Sequence, residues 1–211
     1  MKELYILGAG TYGEVIFELA ETVGYSVVGF YDDDNALIGT EVMGKRVIGS
    51  FSNFSRSDIS GKNFAVAIGN NKIRFQIMQN ILKNEGVLPS LIHPNANIYP
   101  SARIGKGVYI HAGACIWTKA EIGDFTFISP NTVIAHHVKV GKACLISTLC
   151  AVGAGVNINN FVMFGFGTTV ITGVKNIGEN VMSGGGTVII KDVEDNSVIV
   201  GNPARKIREN F

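Results

Sequence analysis

The chain has 211 residues, of which 18 are Lys or Arg, 17 are Asp or Glu and 46% are hydrophobic. A formal net charge of +1 gives no field for holding a nucleic acid or an anionic membrane, so neither is an expected partner. No run of about 18 apolar residues occurs, which excludes a predicted transmembrane helix. The three cysteines lack a CxxC spacing, so we expect no zinc site and a reducing, cytoplasmic location.

The N-terminal residues predict a nucleotide-binding unit. An apolar strand over 4–7 runs into a G-x-G-x-x-G motif at 8–13, and a helical pattern follows over 14–23. A second strand over 26–31 ends in the acidic run 32–34. This order is typical of a dinucleotide-binding βαβ unit, in which glycines let a phosphate approach backbone N–H groups and an acid accepts a hydrogen bond from the ligand. A purely structural turn is the alternative interpretation.

A third strand, predicted over 64–68, ends in Gly69-Asn70-Asn71 and leads into a helix over 72–84. This completes the segment before Pro89. So short a segment has room for half of a dinucleotide-binding domain, which can hold a nucleotide but leaves no space for a second, substrate-binding half. Hydride transfer is therefore not the expected chemistry.

From Leu91 onward the sequence has a six-residue period. Four residues after each bulky position lies a small or β-branched residue, from Ala96 to Val174. An α-helix or an alternating strand does not keep such a register, whereas a parallel β-helix does. The bulky residues, which we expect to point into the axis, are Ile92, Ile98, Ile104, Ile110, Ile116, Ile122, Ile128, Ile134, Val140, Ile146, Val152, Ile158, Phe164 and Val170.

The register also predicts which residues stack. With three faces in each coil, residues eighteen apart lie one above the other, and the pattern resumes at Ile177 and Ile189. This register predicts that Cys144 and Cys150 are buried thiols of the core and not nucleophiles. His93 and His111 read as surface or edge residues, with too few further ligands for a metal site.

These repeats resemble the hexapeptide-repeat acyltransferases, and the segment 198–205, VIVGNPAR, is similar to their closing motif. With the glycine-rich unit in front, the chain resembles sugar acetyltransferases of the sialic acid O-acetyltransferase (NeuD/PglD-like) family. The resemblance implies an α/β half-Rossmann domain over 1–88, followed over 89–211 by a left-handed parallel β-helix. It also implies a homotrimer, with acetyl-CoA bound between neighbouring subunits and a UDP-, dTDP- or GDP-linked amino sugar as the acceptor.

The family's binding residues carry over onto particular positions of this sequence. For acetyl-CoA the resemblance implies Leu145, Ala154, Phe166 and the turn at Gly184. For the nucleotide-linked sugar it implies Gly10, Thr11, Tyr12, Asp32, Asp33 and Gly69, and the end of the third strand adds Asn70. No metal is expected.

The resemblance places the general base at His136, and histidine suits this role because an unperturbed imidazole has a pKa near neutral pH. The family usually has Glu or Asp at the next position, whereas this chain has His137. A neutral histidine holds one tautomer of its neighbour but does not stabilise an imidazolium as a carboxylate does. Three interpretations stay open: a weaker but adequate base, a carboxylate supplied by a neighbouring subunit, or loss of catalysis.

The resulting functional prediction is an acetyl-CoA-dependent N-acetyltransferase acting on a nucleotide-linked 4-amino-4,6-dideoxy sugar in bacterial surface glycan biosynthesis. An O-acetyltransferase of sialic acid or a related sugar is the first alternative. It is disfavoured because a hydroxyl nucleophile needs a stronger base than an amine does. A non-catalytic trimer that binds a nucleotide-linked sugar is the second alternative.

Overall fold

The computed structural model describes residues 2–52 and 54–210. The chain divides into two compact units, Met1–Leu91 and Ile92–Phe211. The sequence predicts the boundary between 88 and 89.

The first unit is a parallel sheet with helices, as the sequence predicts. The strand order is β3-β4-β2-β1-β5, and every pairing is parallel except that of β3 with β4. The predicted strands and helices correspond to β1, α1, β2, β5 and α3, whereas β3, β4 and α2 are not predicted. The bounds are β1 (Lys2–Leu7), α1 (Thr11–Thr22), β2 (Tyr25–Tyr31), β3 (Glu41–Val42), β4 (Lys45–Gly49), α2 (Arg56–Ile59), β5 (Phe64–Val66) and α3 (Asn71–Lys83).

The glycine motif sets how closely α1 approaches the loop that follows β1. A Cβ atom on Gly13 would lie 2.3 Å from the carbonyl oxygen of Gly8, so only glycine fits there. Gly8 itself has a φ of 106°, a conformation that favours glycine. Two of the motif's glycines are therefore required by packing and backbone geometry alone.

The second unit is a parallel β-helix, and strands β6 to β19 each end on the predicted inward residue. Strands β6 to β22 have two residues each: β6 (Leu91–Ile92), β7 (Asn97–Ile98), β8 (Arg103–Ile104), β9 (Tyr109–Ile110), β10 (Cys115–Ile116), β11 (Glu121–Ile122), β12 (Phe127–Ile128), β13 (Val133–Ile134), β14 (Lys139–Val140), β15 (Leu145–Ile146), β16 (Ala151–Val152), β17 (Asn157–Ile158), β18 (Met163–Phe164), β19 (Thr169–Val170), β20 (Asn176–Ile177), β21 (Met182–Ser183) and β22 (Val188–Ile189). The longer β23 (Ser197–Val200) and β24 (Arg205–Glu209) close the helix as an antiparallel pair.

These strands form three faces. Face A contains β6, β9, β12, β15, β18, β21, β23 and β24; face B contains β7, β10, β13, β16, β19 and β22; face C contains β8, β11, β14, β17 and β20. Strands eighteen residues apart pair in parallel register, as in Ile116 with Ile134. One extra residue near Gly173, whose φ is 104°, shifts the register before Ile177. The axis is filled by both predicted rows of residues, including Cys144 and Cys150.

The turns between faces define three corners, which we call AB, BC and CA. The stacked turns leave little space between coils. A Cβ atom on Gly141 would lie 2.6 Å from the backbone of Asn159. Side chains at the corners are thus held by backbone that is itself fixed by the coils above and below.

His111 is buried rather than at the surface, which corrects the sequence-based expectation. It follows β9 at corner AB and is 8% exposed. Burial, reinforced by the nearby His93, lowers the pKa of His111 to about 4 from the ordinary 6.5. The imidazole is therefore neutral in the folded protein at neutral pH.

This buried histidine predicts a pH-dependent stability. Because its pKa is lowered on folding, the unfolded chain binds more protons as the pH falls from about 6.5 to about 4, and stability is lost over that range. The shift corresponds to a loss on the order of 3 kcal/mol. Urea unfolding at several pH values should show a smaller acid-side loss in His111→Gln than in the wild type. Equal losses in the two proteins would contradict this assignment.

No helix among the described residues is long and apolar enough to cross a membrane.

Candidate active site

His136 and His137 lie at corner BC, directly after the inward Ile134 of β13 and its neighbour Ala135. Backbone hydrogen bonds to both adjacent coils fix the pair: the N–H of His137 donates to the carbonyl of Thr118 at 3.0 Å, and the carbonyl of His136 accepts from the N–H of Gly155 at 3.1 Å. His137 has a φ of 59°, so the two side chains leave the backbone in different directions. Both histidines are exposed in the single chain.

The two imidazole rings touch through their Nδ1 atoms, which are 3.0 Å apart. The rings are perpendicular, with an angle of 89° between their planes. A hydrogen bond at this distance requires one Nδ1 to carry a proton and the other to be bare. The Nε2 atom of each ring, on the far side from this contact, is not used by the pair.

A groove of about 670 Å³ borders His137. Three cations, Arg103, Lys119 and Lys139, and one carboxylate, Glu121, line it. Arg103, Glu121 and Lys139 stand side by side on face C, because their strands pair in register. Among the described residues, none of these four side chains takes part in an ion pair within 4.0 Å.

Glu121 is an acidic residue of the groove beside His137, and no local sequence pattern predicts it there. Residues one coil away from His137 are Lys119 and Gly155, neither of which is acidic. Glu121 reaches the groove from the neighbouring face, and the register of face C is the signal that places it there.

The predicted acetyl-CoA residues fall in two separate places on one chain. Ala154 shares corner BC with His136, one coil away. Leu145 lies on face A, while Phe166 and Gly184 lie at corner AB. Phe166 is 66% exposed, which is unusual for so large an apolar side chain. One chain therefore brings Ala154 to the histidines but not the other three residues.

Predicted nucleotide-binding residues of the first unit gather at the carboxyl edge of its sheet, after β1, β2 and β5. Gly10 forms the N-cap of α1, and nothing lies within 4 Å of where its Cβ would be, so a ligand has access to this backbone. Thr11, the next residue, is exposed. Asp32 accepts a hydrogen bond from the N–H of Ala9 at 2.7 Å and so holds the glycine loop to the end of β2.

Asp33 is held by a second loop. One carboxylate oxygen accepts from the hydroxyl of Ser50 at 2.5 Å, and the other accepts from the hydroxyl of Ser52 at 2.5 Å. Desolvation raises the pKa of Asp33, but these hydroxyl groups and the backbone N–H groups of Ser52 and Phe51 outweigh it, and the pKa is lowered. The carboxylate is therefore ionised at neutral pH and orders residues 50–52 at the edge of the site.

The third strand end is organised by a buried arginine that was not predicted. Arg74 of α3 is fully buried and donates to the carbonyls of Ile68 at 3.0 Å and Gly69 at 3.4 Å. Asn70 caps α3, because its side-chain oxygen accepts hydrogen bonds from the N–H groups of Lys72 and Ile73, each at 3.0 Å. In sequence, Arg74 looks like an ordinary polar helix residue, so only burial identifies it.

Tyr12 is placed differently from an exposed turn tyrosine. Burial raises the pKa of its hydroxyl to about 12, and the positive charge of Arg74 opposes this only in part. Tyr12 and Arg74 thus lie close together, Tyr12 two positions after Gly10 in the chain and Arg74 hydrogen-bonded to the carbonyl of Gly69.

The comparisons with known proteins cover both units. Residues 3–81 match the model of the PglD N-terminal domain. The chain is 33% identical to the GDP-perosamine N-acetyltransferase of Escherichia coli O157:H7 over 97% of this chain and 96% of that relative.

Solved structures agree in fold over nearly the whole chain. The Caulobacter crescentus PerB structure, in complex with CoA and GDP-perosamine, is 29% identical, covers 99% of this chain and 98% of its own, and has a TM-score of 0.88. The acetyltransferase domain of PglB from Neisseria gonorrhoeae is 29% identical over 98% of this chain and 100% of its own, with a TM-score of 0.87. The chain therefore belongs to the NeuD/PglD-like family of left-handed β-helix sugar acetyltransferases.

Proposed function

We propose that the protein transfers the acetyl group of acetyl-CoA to the amine of a nucleotide-linked 4-amino-4,6-dideoxy sugar. The observation that carries this proposal is the likeness, over almost the whole chain, to an enzyme named GDP-perosamine N-acetyltransferase. A GDP-linked sugar is therefore the first acceptor to test, ahead of the UDP- and dTDP-linked sugars. Acetyl-CoA supplies the acetyl group, so we place the reaction in the cytoplasm.

His136 acts as the general base. Its exposed ring has Nε2 facing away from the contact with His137, which leaves that nitrogen able to accept a proton from an attacking amine. An amine that attacks a thioester becomes acidic as it does so, and a neutral imidazole is a sufficient base for it. A hydroxyl acceptor would have to lose its proton during the attack and would need a stronger base.

Acetyl-CoA binding requires more than one copy of the chain. Ala154 stands beside His136 at corner BC, whereas Leu145, Phe166 and Gly184 stand on or beside face A. In a homotrimer, corner BC of one subunit meets the region of Phe166 on its neighbour, and the thioester lies between them. The exposed apolar side chains of Phe166 and Leu149 support this arrangement.

The nucleotide lies at the carboxyl edge of the N-terminal sheet. The backbone N–H groups at Gly10 and Thr11 approach the diphosphate, while Asp32 and Asp33 hold the surrounding loops. Tyr12 contributes its ring rather than its buried hydroxyl. Gly69 and Asn70, at the end of the third predicted strand, also contact the nucleotide-linked sugar.

Release of free CoA tests this function. We expect turnover with a GDP-linked 4-amino-4,6-dideoxyhexose. A thiol-detecting reagent measures the CoA that is released. The matched control is the GDP-linked 6-deoxyhexose with a hydroxyl group at C4, which differs only at the attacking atom. UDP- and dTDP-linked amino sugars and free sialic acid complete the panel. Turnover with the hydroxyl control or with sialic acid, but with none of the amines, would contradict N-acetyl transfer.

A further inference from the structure

The histidine pair lacks the carboxylate that the family resemblance implies at the second position, and the geometry shows what occupies its place. The Nδ1 atoms of His136 and His137 are 3.0 Å apart, so one nitrogen donates and the other accepts. If both rings were protonated, two N–H groups would point at each other across this distance. The pair in this geometry therefore carries at most one positive charge.

We propose that His137 is a positioning residue, which accepts a hydrogen bond from Nδ1–H of His136 and so keeps Nε2 of His136 bare for the substrate. This inference rests on the proposed acetyl transfer. In that reaction the amine nitrogen forms a bond to the acetyl carbon and the C–S bond to CoA breaks. The amine proton moves to Nε2 of His136 and from there to the CoA thiolate.

The direction of the hydrogen bond follows from this proton transfer. When Nε2 of His136 has taken the proton, both nitrogens of that ring carry hydrogen. Only His137 can then be the acceptor, and its own Nδ1 must be bare. The contact at 3.0 Å is thus suited to hold the ring of His136 in one orientation before and after the proton moves.

The charged residues around His137 are mostly cations. The groove beside it contains Arg103, Lys119 and Lys139 but only one carboxylate, Glu121. The residues that stack on the pair at corner BC are Thr118 and Lys119 below and Ala154 and Gly155 above, which add no acid. His137 therefore orients His136 without adding the negative charge that a carboxylate would bring.

Three substitutions at this position separate the acceptor from the charge. His137→Gly removes the acceptor and tolerates the φ of 59°. His137→Asn keeps an acceptor oxygen near the place of Nδ1 and also tolerates this conformation. His137→Glu introduces the carboxylate that is usual in the family. Thermal unfolding of each variant checks that the β-helix is intact.

We expect kcat of His137→Gly to fall about tenfold, the loss that corresponds to one hydrogen bond, with unchanged KM for both substrates. His137→Asn should recover most of this loss. In His137→Glu the acid limb of the pH–rate profile should move to higher pH, because a carboxylate stabilises the imidazolium. A wild-type rate in His137→Gly, equal losses in the Gly and Asn variants, or an unmoved acid limb in the Glu variant would overturn the proposal.

Nitrogen-15 spectra of the imidazole rings provide a readout that does not need turnover. We expect neutral His136 to carry its proton on Nδ1 in the wild type, and to move to the Nε2–H form, which water favours, in His137→Gly. A wild-type His136 protonated on Nε2 would overturn the positioning role. If the wild type acetylates no acceptor, the proposed function fails, while these spectra still decide the role of His137.

Discussion

Replacing His136 with alanine is expected to lower kcat by about 10²- to 10⁴-fold, the usual contribution of a positioned general base. The exposed Nε2 of His136 is the proposed proton acceptor, and the ring of His137 stands perpendicular to that of His136 with its Nδ1 in contact with it. The KM values for acetyl-CoA and the nucleotide sugar should change little. Initial rates of CoA release at saturating substrates give the comparison.

His93→Asn is the matched control for this substitution. His93 lies at corner AB in the first coil, and its Nδ1 accepts from the N–H of Asn95 at 3.0 Å, an interaction that an asparagine oxygen can keep. We expect this variant to retain the wild-type kcat. If His136→Ala also keeps that rate, His136 is not the general base of the reaction.

Replacing Phe164 with alanine is expected to cost about 3–5 kcal/mol of unfolding free energy. Phe164 is fully buried in the axis of the β-helix, where the coils above and below fix the backbone and limit relaxation into the cavity. The midpoint of urea unfolding, with an unchanged slope, measures this loss.

Phe166→Ala is the matched control, two residues further along the chain. Its side chain is 66% exposed in the single chain, so its removal should cost clearly less unfolding free energy than the removal of Phe164. Because Phe166 is a proposed acetyl-CoA contact, the same variant should raise the KM for acetyl-CoA. Equal destabilisation by the two substitutions would contradict the placement of Phe164 in the core and Phe166 outside it.

The β-helix was predictable almost residue by residue, because its period is local. An inward residue such as Ile134 or Phe164 recurs at every sixth position, so each one is predicted from its neighbours in sequence. Three faces in each coil then make residues eighteen positions apart stack on one another. The register shift before Ile177 was visible only as a resumption of the pattern. Its cause is one extra residue beside Gly173, which no local pattern indicates.

The candidate site was less predictable, because its contacts join residues that are distant in sequence. Asp32 was predicted as a ligand-binding acid, and the structure shows it accepting from Ala9, 23 positions earlier. Arg74 and Glu121 have no local signal, since only burial identifies the first and only strand register places the second. The β3–β4 pair was missed because its strands are short and, of their residues, only Val47 is buried.

The most direct test of the account is the identity of the product formed from acetyl-CoA and a GDP-linked 4-amino-4,6-dideoxyhexose. Mass spectrometry before and after hydroxylamine treatment distinguishes an amide, which survives, from an ester, which is cleaved. We predict one acetyl group per nucleotide sugar, resistant to hydroxylamine and formed in equal amount with free CoA. Release of CoA without an acetylated nucleotide sugar, or an acetyl group lost to hydroxylamine, would contradict N-acetyl transfer.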